Sequence, residues 1–434
     1  MTTTLEPLRW LEEPAKVLVE KNNGAVRAYF QVTVPRDLTA MCRGRAVEEL
    51  PRILSILSPS HHLVAALVLD HLGGVTPPDL ARNLREALLH CQVFRHHLRK
   101  LYFLLSAYGN PLAEPPGPRG RQDLSPVPRP VLDEAMEHLG LIQEAATILG
   151  GRSDHPLTAV AGGVSRFLKE GHYARLAEIA SASLAYARRL GEFLHNRVLA
   201  GGRIFSELTT VPSVLLASLT YDPAADLIGV VDASGQAQET FSPEEAVEKL
   251  AWHQETWTYQ PFLYLKARGW QDLSASDHAG CFFVGPLARL NRNREIATEQ
   301  AEAERQRLIE ALGQPPHYGL AAAVWMMLVE LLEAGESLVA LCTEENLSGV
   351  EIRHVPQAMG EVAQAALEAP EGLIFHRVQV DGQARVLNLT VFEAASANNA
   401  LRCLLTQAVM AEALTQSRPF NSAQRSLELG LLPT

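Results

Sequence analysis

Arg52-Ile-Leu-Ser-Ile-Leu-Ser-Pro-Ser-His61 lies between two stretches with helical hydrophobic spacing, Ala46–Leu57 and His61–Leu72. Leu54 and Leu57 stand at i and i+3, so one helical turn points both to the same side. Read as chemistry alone, the pair fills an apolar core, where burying each side chain is worth roughly 1.5–3 kcal/mol. Outward from this stretch, helical periodicity recurs at Leu80–Ala107, after Pro77-Pro78-Asp79, and at Val131–Leu149 and Lys169–Val198. It recurs again at 243–254, 294–312, 318–334 and 397–415. Three segments read as hairpins: Val17–Val34 around Asn22-Asn23-Gly24, residues 227–241, and Gly372–Phe392 around Asp381-Gly382. The predicted class is mainly α with small antiparallel β hairpins (α+β), organised around long helices.

The 434 residues suit one large domain or two closely packed ones. We take 1–434 as a single domain, with a possible internal boundary at 111–130, which holds seven prolines. Acids outnumber bases 49 to 38, for a formal charge of −11, and no basic block occurs, so no nucleic-acid partner is expected. Cys42, Cys91, Cys281, Cys342 and Cys403 are scattered and form no C-x-x-C pair, arguing against a disulfide framework or a local metal motif. No signal peptide is evident, and the longest apolar run, Leu320–Leu332, is too short to span a bilayer. A cytoplasmic protein without direct membrane insertion is expected. The charge-rich stretch 294–312 reads as a solvated face. His90, His96 and His97 read as ordinary helix residues, and the aromatics from Trp252 to Trp270 as core packing.

Five separated segments carry a resemblance, in chain order. They are Glu12-Glu13-Pro14-Ala15-Lys16; Arg43-Gly44-Arg45 with Arg52–His61; His155–Val164; Val284-Gly-Pro-Leu-Ala-Arg-Leu-Asn291; and Glu368-Ala-Pro-Glu-Gly372 with His376. Together they resemble the nickel–iron hydrogenase large subunit, in particular its soluble, cofactor-reducing branch. The retained family residues are Arg52, His61, Gly285, Pro286, Arg289, Asn291, Glu368, Pro370 and His376. The resemblance implies the large-subunit fold over nearly the whole chain.

It also implies a departure. In that family four thiolates hold nickel, and two of them bridge to iron. The positions similar to those cysteines carry Leu54, Leu57, Gly430 and Pro433, none with a donor atom in its side chain. Glu371 stands where the family has an arginine facing the diatomic ligands of iron, and Glu428 stands for an aspartate. The sequence ends at Thr434, without the extension that the family usually cleaves. The expectation is therefore no catalytic residue for hydrogen turnover, no nickel–iron centre in this chain, and a closed apolar pocket in its place. A Glu371–Arg52 ion pair or a substitute zinc site from His61, Glu371 and Glu428 are the alternatives for a new polar site.

Three roles follow from the resemblance. The first is a structural subunit that docks a hydrogenase-like small subunit carrying iron–sulfur clusters, with possible diaphorase-like or heterodisulfide-reductase-like subunits. The second is an assembly scaffold for metal-centre maturation, and the third a working nickel-dependent hydrogenase. The side chains at the ligand positions favour the first.

Overall fold

The computed structural model describes residues 2–6, 8, 11, 13–109, 127–199, 208–273, 278 and 280–434. Most of the proline-rich candidate boundary, with Glu12 of the first resembling segment, lies outside them. The central element is the helix Leu320–Leu341. Its residues from Leu320 to Leu332 are buried on every side, because leucine, valine, methionine and alanine occupy all faces. It packs between the long helices Asp79–Gly109 and Glu170–Leu194, with Glu299–Leu312 alongside. Arg129–Gly150 bridges the first two. Asp79–Gly109 begins two residues after Pro77, as the sequence predicts.

A second apolar cluster lies around the sheets. Val362–Ala369, Gly372–Val380 and Val386–Phe392 form an antiparallel meander. Its first turn is tight: Ala369 pairs with Gly372, leaving only Pro370 and Glu371 at the tip. The helix Pro59–Leu72 lies across this sheet. A further antiparallel sheet at the N-terminus, Thr2–Leu5, Ala15–Asn22 and Ala25–Val32, uses the Asn-Gly turn as expected.

Several expectations change. Ala46–Leu57 is not one helix: a 3₁₀ turn at Val47–Glu49 leads into the short helix Leu50–Leu54. Pro51 is tolerated there because it occupies the first turn, where its missing N–H costs nothing. The segment 243–254 begins with a 3₁₀ turn at Pro243–Glu245 and the short α-helix Ala246–Lys249, then becomes the strand Leu250–His253 paired with Phe262–Leu265. The apolar period there reported burial and left helix and strand undecided. Residues 227–241 form the expected hairpin, but inside a four-stranded sheet that includes a parallel pair, Phe282–Phe283 with Ala217–Asp222. The 294–312 helix starts at Glu299, and its charged stretch is not wholly solvated. Glu304 is buried and accepts the Trp325 indole N–H at 2.7 Å; buried Arg305 pairs with Glu302 at 2.8 Å.

Candidate functional site

The segments singled out in the sequence converge. The Glu368–Gly372 turn is pinned by Arg289, which projects from the short helix Pro286–Asn291. Arg289 grips Glu330 of the central helix in bidentate fashion, Nε to Oε1 at 2.6 Å and Nη2 to Oε2 at 2.7 Å. Nη1 donates to Glu368 Oε1 at 2.5 Å and to the Ala369 carbonyl at 3.0 Å, and Nη2 also donates to the Pro370 carbonyl at 3.1 Å. Every N–H of the guanidinium thus has an acceptor. Glu368 accepts a second bond from the Tyr221 backbone N–H at 2.6 Å. Burial opposes the charge on Glu330, but Arg289 outweighs it and holds that carboxyl at about 2. Burial wins at Glu368, whose carboxyl is raised although Arg289 pulls it down. His97, fully buried, brings Nε2 to 2.8 Å from Glu330 Oε2.

Two glycines make the turn possible. Gly372 has φ +130°, and a Cβ there would lie 2.4 Å from Val284 Cγ2. Gly285 has φ +102°, and its Cβ would come within 3.0 Å of the Glu371 carbonyl and 3.9 Å of the Pro433 carbonyl. Both conformations disfavour a side chain, and the two backbones need the contact. Gly285 therefore sits where the Glu371 turn and the C-terminal segment meet. Asn398 Oδ1 accepts the Val284 N–H at 2.9 Å, fixing the same strand end. Asn291 is structural too, bonded to His317 O at 3.0 Å and His317 N at 2.7 Å.

His61 and His376 form a buried pair. His61 Nδ1 lies 2.7 Å from His376 Nε2, with the rings stacked at 5.0 Å between centroids. One ring must donate and the other accept, so the two cannot both be doubly protonated without losing the bond. Burial holds His61 down at about 3 and His376 well below the usual range. His62 is likewise neutral: it donates to Pro51 O at 3.0 Å and accepts from Ala159 N at 3.0 Å.

The four positions similar to metal ligands occupy three environments. Leu54 is fully buried in the sheet-side core. Leu57 is half-buried and lines two cavities, one of about 450 Å³ and one of about 130 Å³. The smaller is also lined by Ser58, His61, Lys100, Glu371 and Arg402. Gly430 and Pro433 line a crevice of about 40 Å³ beside Val211, Phe283 and Leu405. Thr434 touches both that crevice and the 130 Å³ cavity. A Cβ on Gly430 would lie 2.8 Å from Leu405 Cδ2 and 3.0 Å from Val211 Cγ1, so the space beside that backbone is filled.

These positions correct one expectation and bear on both alternatives for a new polar site. The space beside Leu57 is neither closed nor apolar, since Glu371, Lys100 and His61 face it. Glu371 does not pair with Arg52: Arg52 is exposed, and Glu371 Oε1 accepts the Ser58 hydroxyl at 2.5 Å. Nor do His61, Glu371 and Glu428 converge. His61 joins His376, Glu428 is buried and accepts from Gln424 Nε2 at 2.8 Å, and no group of three or more such side chains could hold a metal among the described residues. The aromatic patch is divided. Phe262 is buried, while Trp252 and Tyr259 are exposed along another cavity of about 420 Å³. Sequence reasoning missed Glu330 and His97, whose partners lie on other helices. The only hint was a lone glutamate inside the apolar run Leu320–Leu332.

This arrangement of helices, sheets and converging segments is that of a nickel–iron hydrogenase large subunit. Over its full length the chain superimposes on a crystal structure of an NAD+-reducing [NiFe]-hydrogenase with a TM-score of 0.84 and 23% identity, covering 97% of that chain. For the Ni-Fe-Se hydrogenase from D. vulgaris Hildenborough in the reduced state, the TM-score is 0.72 at 17% identity, covering all of both chains. In sequence it is 25% identical to a vhu-type F420-non-reducing hydrogenase subunit of Methanocaldococcus jannaschii, over 91% of this chain and 95% of that one. It is 24% identical to an F420-non-reducing hydrogenase iron-sulfur subunit of Archaeoglobus profundus (91% and 85%). With the NAD-reducing hydrogenase HoxS subunit beta of Cupriavidus necator it shares 23% (91% and 85%). No protein-family model matches it. The chain has the nickel–iron hydrogenase large-subunit fold and is similar in sequence, along nearly its whole length, to subunits of such hydrogenases. None of its helices, among the described residues, is long and apolar enough to cross a membrane.

Proposed function

We propose that this large-subunit homologue no longer performs hydrogen chemistry and serves as a structural subunit of a cytoplasmic electron-transfer complex. In this reading it docks a hydrogenase-like small subunit whose iron–sulfur clusters carry the electrons. A diaphorase-like or heterodisulfide-reductase-like subunit would complete the path.

The donor set carries the reading. A nickel–iron centre needs soft thiolates, and Leu54, Leu57, Gly430 and Pro433 offer none. The five cysteines are buried and line none of the cavities around Leu57 and Pro433. Burial raises the Cys42 and Cys281 thiols to about 11, away from thiolate. Glu371 brings negative charge to the place from which the family directs an arginine at anionic ligands. The residues present therefore do not fit the group. What remains intact supports a scaffold: the Arg289 network and the two glycines hold the segments together using the protein's own groups.

The test is a nickel and iron determination on the purified chain and on its native complex, beside a hydrogen-uptake assay. The expected result is an iron–sulfur partner that co-purifies, with neither stoichiometric nickel nor uptake. Stoichiometric nickel would overturn the proposal, and so would a stable monomer in cell extract without any iron–sulfur partner.

A further inference from the structure

The imidazole of His61 is only 3% exposed, yet it lines the cavity of about 130 Å³ beside Leu57. Its Nδ1 is engaged by His376 Nε2 at 2.7 Å, so Nε2 is the ring nitrogen left for the cavity. Nε2 has no hydrogen-bond partner among the described residues.

The histidine pair fixes what Nε2 offers. His376 Nδ1 is buried with no partner. A proton there would be a buried N–H without an acceptor, a rarer and costlier orphan than a bare lone pair. His376 therefore carries its proton on Nε2 and donates it to His61 Nδ1. Burial keeps both rings neutral, so the one proton of His61 sits on Nε2 and presents a donor to the cavity.

A cation stands beside this donor. Arg36 is exposed and lines both this cavity and the one of about 420 Å³, where the two spaces adjoin. Its charge reaches His61, Glu13 and Glu393, and it forms no ion pair among the described residues. The neighbouring acids are engaged elsewhere. Glu13 pairs with Arg402, Glu371 accepts the Ser58 hydroxyl, and Asp37 accepts the Ala40 N–H. Glu393 accepts from the Gln260 side chain, and burial raises its carboxyl toward the uncharged form. His61 is also the third residue of the 14-residue helix Pro59–Leu72, whose cap residue Ser58 makes no capping bond. That helix end adds partial positive charge.

We propose that the cavity beside His61 binds one small planar oxyanion, of the carboxylate, bicarbonate or nitrate kind. Its oxygens lie between the His61 Nε2–H and the Arg36 guanidinium. Planarity follows from the guanidinium, whose fork matches two coplanar oxygens. The volume holds a few heavy atoms and excludes a long chain. The proposal rests on this space being free of a metal centre, as in the function proposed above.

The experiment is isothermal titration of the full chain with formate, bicarbonate and nitrate at constant ionic strength, on a sample whose nickel content is measured. Wild type should bind at least one of them saturably. Affinity should fall by about tenfold or more in Arg36→Gln and in His61→Leu. It should stay unchanged in the surface variant Arg129→Gln, outside the cavity lining. A response to a single probe identifies the anion and supports the site. Circular dichroism checks that each variant folds. Nitrogen NMR of the wild-type imidazoles should show His61 as the Nε2–H tautomer, with its signals moved by the bound anion, and this readout stands if His61→Leu does not fold. No saturable binding in a nickel-free sample, undiminished binding in Arg36→Gln, or a His61 Nδ1–H tautomer would overturn the proposal. Stoichiometric nickel overturns the metal-free reading and this site with it, so the two failures are told apart.

Discussion

Replacing Arg289 with methionine removes the group on which three chain segments depend. Methionine keeps most of the side-chain length and none of the charge. Glu330 then loses both arms of its ion pair, and Glu368 loses its cation. Glu330 is 4% exposed, so water cannot take over. Breaking a buried pair from one side costs about 3–5 kcal/mol, because the remaining charge stays in a poor solvent. The carbonyls of Ala369 and Pro370 also lose their donor, which puts the loss toward the upper end of that range. Urea unfolding followed by tryptophan fluorescence reports on it directly, since Trp325 is buried on the same helix as Glu330. Glu330→Gln should lose less, as the amide still accepts a bond from Arg289. The double variant should be more stable than the sum of the single losses implies, with coupling of about 1 kcal/mol or more. The pH dependence has a definite sign. Glu330 is held at about 2, below its unfolded value, so its stabilisation is full above about pH 4.5 and lost as pH falls toward 2. Glu330→Gln should remove that contribution. A loss under about 1 kcal/mol for Arg289→Met, or strictly additive variants, would refute the reasoning.

Other outcomes follow from the same geometry. His61 and His376 are held neutral below the unfolded imidazole value, so the unfolded chain takes up their protons first. Their contribution is full above about pH 6.5 and declines as pH falls toward 3, and melts of His61→Leu with His376→Leu should show a flatter acid limb than wild type. Gly285→Ala should cost about 1–3 kcal/mol in urea titration, because φ is +102° and the new Cβ faces the Glu371 carbonyl. Gly430→Cys should lower the melting midpoint through about 1–3 kcal/mol of overpacking against Leu405 and Val211, with no gain of stoichiometric nickel in metal analysis.

The legible parts of the sequence were those that local chemistry decides. Asn23-Gly24 and Asp381-Gly382 each made a hairpin where they stood. The apolar run from Leu320 marked a helix buried on all faces. Failures came where two structures share one apolar pattern. Leu250–His253 became a strand because Phe262–Leu265 was available to pair with it. Arg52 looked like a partner for Glu371 on residue type alone, yet its short helix leaves it in solvent, and Ser58 is the group that reaches the turn.

The sequence alone determined which side chains are available: leucine at 54 and 57, glycine at 430, proline at 433, a glutamate at 371, and the segments that carry the resemblance. Tertiary structure decided what those side chains do. Only folding places Glu330 and Glu368 on one guanidinium and sets His61 against His376. The physical reason is range. Turn and helix preferences act over a few residues, while buried charges and hydrogen bonds are satisfied by groups tens to hundreds of residues away, which no local pattern encodes.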